Sequence, residues 1–249
     1  MMKSRRPVIA ITGGSKGLGY ALAAHLLQHD FAVSICARHA NELAHATQEL
    51  ERFGPILSAS GDIADPSFQR RFIDATVDSF GRLDGIVNNA STLGTLPMPT
   101  VQDTDLPNLS NVLNVNTVAA VGLVQQSLPH LLTRTRGLIL GISSDAAVGG
   151  YANWGIYGAS KAALDLLHKT LADELDGQDI HVFAVDPGDM DTDMHRDASP
   201  LDEGLPKPDL VAQALLPLFL PLRTTASFPF PSGTRLQVQN QGLCPTEVS

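Results

Sequence analysis

The sequence is poor in cysteine, in positive charge and in long apolar runs, and each shortage removes a class of protein. Two cysteines in 249 residues, Cys36 inside an apolar run and Cys244 near the end, supply neither a disulfide framework nor metal-ligand spacing. A reducing, cytoplasmic setting is expected, with no metal. No stretch reaches the roughly 18–20 apolar residues that a membrane-spanning helix needs. The most apolar tract, LVAQALLPLFLPL at 210–222, is too short and carries Pro217 and Pro221. The basic start, MMKSRR, runs through about five apolar residues into glycines, which reads as a first strand rather than a signal peptide. The 17 Lys and Arg against 26 Asp and Glu give a formal charge of −9, which argues against broad attraction to nucleic acid or an anionic membrane. No internal repeat, heptad run or Ser/Gly linker divides the chain, so a single domain over 1–249 is expected, with enough apolar residues for a substantial core.

What is present is alternation. Short β-rich runs at 7–12, 32–37, 55–60, 83–89, 137–143 and 180–186 are separated by helical patterns at 19–30, 39–53, 66–80, 104–132 and 155–175. A helix near 208–219 and a last strand near 235–239 follow. Such alternation implies right-handed crossovers and an α/β fold: one Rossmann-type, doubly wound domain, its mostly parallel sheet covered by helices on both faces. Ligands on such sheets sit at the carboxyl ends of the strands, so functional residues should follow strands.

TGGSKGLG (12–19) does follow the first strand and opens the first helix. Gly13 can take a backbone angle closed to other residues, and Gly17 and Gly19 leave room for a pyrophosphate and for close helix–sheet contact. The second strand ends CAR, with Arg38 where an NAD site usually wants an acid. Arg38 and Lys16 together would suit a 2′-phosphate, so NADP(H) is expected over NAD(H).

ISSDAAVGGYANWGIYGASK (142–161) carries the chemistry. With a helix starting near Gly155, Tyr157 and Lys161 share one face, and Ser144 follows the fifth strand. A phenol is a weak acid, and an adjacent ammonium that lowered its pKa by roughly 3 units would contribute about 4 kcal/mol to the phenolate. The tyrosine could then transfer a proton while the serine hydroxyl orients a carbonyl, as hydride transfer at a carbon–oxygen bond requires.

Taken together, TGGSKGLG, GDI (61–63), NNA (88–90), NVN (114–116), ISS (142–144), YGASK (157–161) and PGDMDT (187–192) make the chain resemble a classical short-chain dehydrogenase/reductase over about 7–192. The resemblance implies Tyr157 as general acid/base, Ser144 rather than Ser143 as the carbonyl-polarising hydroxyl, and Lys161 holding the nicotinamide ribose and lowering the tyrosine pKa. It implies that Asn116 helps to position a relay water. It further assigns cofactor contacts to Gly13, Ser15, Lys16, Gly17, Leu18 and Gly19, to Asp62 and Ile63, to Asn89, Ala90 and Ser91, to Tyr157 and Lys161, and to Pro187, Gly188, Met190 and Thr192.

Two departures stand out. Ser91 occupies the place of a usual glycine, and the C-terminal third lacks the family's terminal glycine pair, which leaves a tetramer in doubt and a homodimer through the long helices expected. Leu93, Asp145, Tyr151, Trp154, Met194 and His195 are expected to border a small-molecule carbonyl or alcohol substrate, under a lid at about 189–206. The alternatives are an NAD-linked alcohol or sugar dehydrogenase and a nucleotide-binding regulator without turnover.

Overall fold

Uncharged runs of Val, Ile, Ala and Leu form strands that are buried on both faces. The computed structural model describes residues 6–246; residues 1–5, most of the basic start, and 247–249 lie outside it. Strands β1 (Val8–Thr12), β2 (Ala32–Ala37), β3 (Ile56–Ser60), β4 (Gly85–Asn88), β5 (Gly137–Ile142), β6 (Ile180–Asp186), β7 (Arg235–Gln239) and β8 (Gly242–Pro245) make one sheet in the order β3-β2-β1-β4-β5-β6-β7-β8. All pairs are parallel except the final β7–β8 hairpin. The order reverses between β1 and β4, which opens a crevice at their carboxyl ends.

Alternate side chains of each strand feed two cores. Ile9 and Ile11 pack with helices α1 (Gly17–Gln28), α2 (Ala40–Leu50) and α8 (Pro208–Leu215), whereas Ala10, Ile139 and Val182 pack with α3 (Pro66–Phe80), α5 (Ala119–Leu131) and α6 (Gly155–Glu174). The fold is therefore the expected doubly wound α/β domain, with helices on both faces. No helix among the described residues is long and apolar enough to cross a membrane.

Three local features differ from the expected pattern. The helix anticipated over 104–132 is α4 (Leu106–Leu113), a π-helical turn (Asn114–Val118) and α5; such a turn widens the ladder by one residue and turns Asn116 inward. The helix near 208–219 stops at Leu215, because Pro217 and Pro221 bring no N–H, and the chain continues in two short 3₁₀ turns. Strand β8 is an addition: Asn240 and Gln241 both adopt positive φ, at 48° and 63°, and so close a tight hairpin. A further short helix, α7 (Asp193–Ala198), lies in the loop after β6, capped by the Thr192 hydroxyl, which accepts from His195 N at 3.2 Å.

The start of the sheet is pinned by Asp84, which is 3% exposed. Its carboxylate accepts from Val8 N at 2.8 Å, from Arg82 at 2.6 and 2.7 Å, and from Arg134 at 3.1 Å. Removing one member of such a buried pair leaves the others desolvated and unmatched. Asp84→Ala is expected to destabilise the protein by about 3–5 kcal/mol in urea denaturation, while Asp78→Ala on the surface changes little.

Candidate active site

The glycine loop is shaped by contacts that leave no room for side chains. Gly13 has φ of 68°, and a Cβ there would lie 2.9 Å from Asn89 Nδ2. Asn89 Nδ2 donates to the carbonyls of Thr12 (2.8 Å) and Gly13 (3.1 Å). Thr12 Oγ1 accepts from Asn89 N (3.0 Å) and Ala90 N (2.9 Å), which welds the loop to the end of β4. Thr12 is thus a structural member of the site that the sequence reading did not single out. A Cβ at Gly19 would fall 2.3 Å from Gly13 O, so Gly19 allows α1 to pack against its own loop. Lys16, at the N-cap, makes no side-chain cap bond, and α1 has no acid in its first turn. Its first amides and the positive end of its dipole are suited to an anion. This cradle fits a dinucleotide pyrophosphate.

The loop opens into a cleft of about 480 Å³ along the carboxyl ends of the strands. Residues 13 and 15–18, Arg38, Asp62 and Ile63, and residues 89–91 line it from one half of the sheet. Ser144, Tyr157, Lys161, Pro187, Gly188, Met190 and Thr192 line it from the other. Gly19 and Asn116 do not line the cleft and act from behind. Asn116 is 2% exposed; its Oδ1 accepts from Thr92 N (2.8 Å), and its Nδ2 donates to Thr92 O (2.9 Å) and Ser160 Oγ (3.0 Å). Its side chain ties the π-helical turn to the loop after β4 and to α6. Asp62 accepts from Ala64 N at 2.9 Å and shapes a turn at the cleft wall.

The two cations expected at a 2′-phosphate part company. Arg38 lines the cleft without an ion pair among the described residues. Lys16 Nζ lies 3.0 Å from Asp193 on α7 and 3.8 Å from Glu42 on α2, and its hydrogen bond to Asp193 holds its pKa above the usual lysine range. Glu42 also accepts from Ser15 Oγ at 3.2 Å. Both acids are absent from the sequence reading, because nothing in their local pattern marks them as neighbours of the glycine loop.

Helix α6 delivers Tyr157 and Lys161 to the end of β5. Lys161 is 2% exposed, and its Nζ donates to Ile142 O at 2.7 Å and lies 5.5 Å from the Tyr157 ring centroid. Burial pulls the Lys161 pKa down to about 8, and Asp165 one turn later opposes that. Burial also dominates Tyr157, pushing its phenol up to about 12; the Ser91 and Ser144 hydroxyls beside it favour the phenolate, while the Asp186 and Asp145 carboxylates oppose it. The expected lowering of Tyr157 by Lys161 is therefore outweighed: desolvation keeps the phenol neutral. Ser144 faces that phenol, and its Oγ donates to Asp145 Oδ1 at 3.0 Å and accepts from Ala146 N at 3.1 Å. Ser143, at 2% exposure, is buried with its hydroxyl unpartnered. Ser91 is accommodated with its Oγ buried next to Tyr157, although it completes no hydrogen bond.

All six residues named for the substrate side, Leu93, Asp145, Tyr151, Trp154, Met194 and His195, line the cleft, joined by Asp186, Asp189, Ser199 and Asp202. Trp154 stands edge-on to Tyr157, with centroids 5.6 Å apart. Across the opening, α7 is held by Lys16–Asp193, by Arg196 to Asp191 and Asp193, and by His195 Nε2 to Asp202 at 2.9 Å.

The chain is similar to known proteins over most of its length. The family model described as short chain dehydrogenase matches residues 7–202. An uncharacterized oxidoreductase of Saccharomyces cerevisiae is 34% identical over 190 residues, covering 75% of this chain and 72% of its own. A short chain dehydrogenase from Burkholderia cenocepacia, solved in complex with NADP, superposes with a TM-score of 0.81 at 29% identity, covering 96% of this chain and 98% of its own. A Brucella melitensis 3-ketoacyl-(acyl-carrier-protein) reductase complexed with NADH superposes at 0.84 over 93% and 96% of the two chains; at 24% identity it shows likeness of fold alone.

The cradle makes a direct prediction. In Gly19→Ala the added methyl meets a carbonyl that cannot move without the β4 contact, so isothermal titration should show dinucleotide affinity weakened at least tenfold. Retained affinity would mean that the loop does not hold the pyrophosphate.

Proposed function

The chain belongs to the short-chain dehydrogenase/reductase family of oxidoreductases, and from that premise we propose that it interconverts a carbonyl and an alcohol with NADP(H). The observation that carries the reading is the convergence of Ser144, Tyr157 and Lys161 at one end of a cleft whose other end is the glycine cradle. When bound, the nicotinamide would supply or accept the hydride at the carbonyl carbon.

The chain's own residues supply the rest. A neutral, buried phenol is the form that can donate a proton, and Tyr157 gives it to the carbonyl oxygen in reduction. Ser144, turning its hydroxyl from Asp145 to the substrate, donates a hydrogen bond to the same oxygen. Lys161 steadies the phenolate left behind and holds the nicotinamide ribose. Asn116 fixes the π-helical turn, where a water would return the proton to the tyrosine. Gly13, Ser15, Gly17 and Leu18 hold the pyrophosphate, with Gly19 behind them. Asp62 and Ile63 meet the adenine; Asn89, Ala90 and Ser91 line the cofactor's middle. Pro187, Gly188, Met190 and Thr192 wall the carboxamide.

Arg38 at the end of β2 supports NADP(H), in line with the NADP held by the Burkholderia relative. Engagement of Lys16 by Asp193 and Glu42 favours the second reading, an NAD-linked dehydrogenase. Substitution separates them: Arg38→Asp should reverse a preference for NADPH, raising its KM at least tenfold, and an unchanged preference excludes Arg38 as the selector. The carboxylates around the opening and the Tyr151–Trp154 wall suit a neutral, partly apolar substrate. Exposed Leu166 and Leu167 on α6 support a homodimer.

The reaction has a pH signature. Lys161 is charged below its pKa of about 8 and loses that charge as pH rises through it, whereas Tyr157 stays protonated to about 12. Carbonyl reduction should thus be constant at low pH and fall near pH 8. Tyr157→Phe should lower kcat by about 10²–10⁴ with nucleotide binding intact. Full activity in that variant would remove the tyrosine from the mechanism.

A further inference from the structure

A cation from outside the catalytic motifs stands behind them. Arg235, the first residue of β7, is 7% exposed. Its Nε donates to Asp165 Oδ2 at 2.8 Å, and one terminal nitrogen donates to the Ser144 carbonyl at 2.8 Å. The second terminal nitrogen donates to Thr246 Oγ1 at 3.1 Å, and Asp186 Oδ2 lies 3.8 Å from the nitrogen that meets the Ser144 carbonyl. Asp165 is one turn beyond Lys161 on α6, and Asp186 ends β6. One planar guanidinium therefore links the loop that carries the catalytic serine, the helix that carries tyrosine and lysine, and the strand end that walls the nicotinamide side. A lysine has neither the fork nor the reach to make these contacts together.

We propose that Arg235 is a positioning residue for the reaction, holding Ser144 in register with α6 and balancing the buried carboxylates of Asp165 and Asp186 behind the catalytic pair. The inference rests on the oxidoreductase reading above. The charged and titratable groups around Tyr157 and Lys161 are Asp165 and His168 on α6, Asp145 after β5, Asp186 on β6 and Arg235 on β7. Of the acids, Asp165 favours the charged form of Lys161, and Asp186 disfavours the Tyr157 phenolate. Asp165 Oδ1 is itself buried without a partner, so Arg235 is the main group that satisfies this carboxylate. Without Arg235, both acids act on the pair uncompensated, and the Ser144 peptide loses its donor from β7.

The test uses the full chain with Arg235→Met, Arg235→Lys and Asp165→Asn, and two readouts. The first is the titration of the Lys161 amino group by nitrogen-15 NMR, which needs no turnover. Arg235→Met should move it upward by about one pH unit, Arg235→Lys should restore it, and Asp165→Asn should move it downward. The second is kcat and KM for carbonyl reduction. Arg235→Met and Arg235→Lys should each lose at least tenfold in kcat with the nucleotide KM little changed, because Lys restores charge but not the fork. An unmoved Lys161 titration in Arg235→Met, or full kcat in Arg235→Lys, overturns the proposal. Should Arg235→Met not fold, Arg235→Lys and Asp165→Asn decide it on the same readouts. Wild-type protein that reduces no carbonyl would instead defeat the functional reading, leaving the titration to judge the charge balance.

Discussion

A buried ammonium donating to the last carbonyl of a strand is the contact on which the site depends. Lys161 Nζ to Ile142 O fixes α6 against the end of β5, and that one distance sets where Tyr157 meets Ser144. Burying the charge is costly, which is why the lysine is drawn toward neutrality. The same burial keeps the tyrosine a neutral acid. Desolvation of one corner thus moves two groups in opposite directions, Lys161 down and Tyr157 up, and both shifts favour the uncharged form.

Around that corner, the polar framework is braced at several strand ends. Thr12 and Asn89 lock the glycine loop to β4, Asn116 locks the π-helical turn to α6, and Arg235 reaches from β7 to the serine loop. The opposite side is held by surface ion pairs. Lys16, 56% exposed at its side chain, and Asp193, 54%, connect the glycine loop to α7, and exposed pairs of this kind contribute little stability. The two sides of the cleft are therefore fastened differently, by buried hydrogen bonds behind Tyr157 and Lys161 and by exposed ion pairs at α7.

Much of this was legible in the chain. Charge-free runs such as VIAI and LILGI identify strands buried on both faces, and the strand–helix alternation fixes the parallel order. The glycine loop, Ser144 and the Tyr157–Lys161 pair are readable because short-range spacing sets their geometry. What was not legible depends on distant partners or on subtle backbone changes. The π-helical turn costs one residue of register inside an otherwise regular helical pattern. The β8 hairpin turns on Asn240 and Gln241 rather than the usual Asn-Gly. Lys16 is claimed by Asp193, which local sequence does not place near it. Tyr157 was expected to be acidified by its neighbour, but desolvation, a property of the whole fold, is larger.

The central claim is that the Tyr157 hydroxyl is a neutral phenol throughout the physiological range. Carbon-13 NMR of protein labelled at tyrosine Cζ measures this directly, with the Tyr157 resonance assigned by its loss in the phenylalanine variant. A phenol held up to about 12 by burial keeps this resonance at its neutral position from pH 6 to pH 10. A shift to the phenolate position within that interval would contradict the claim.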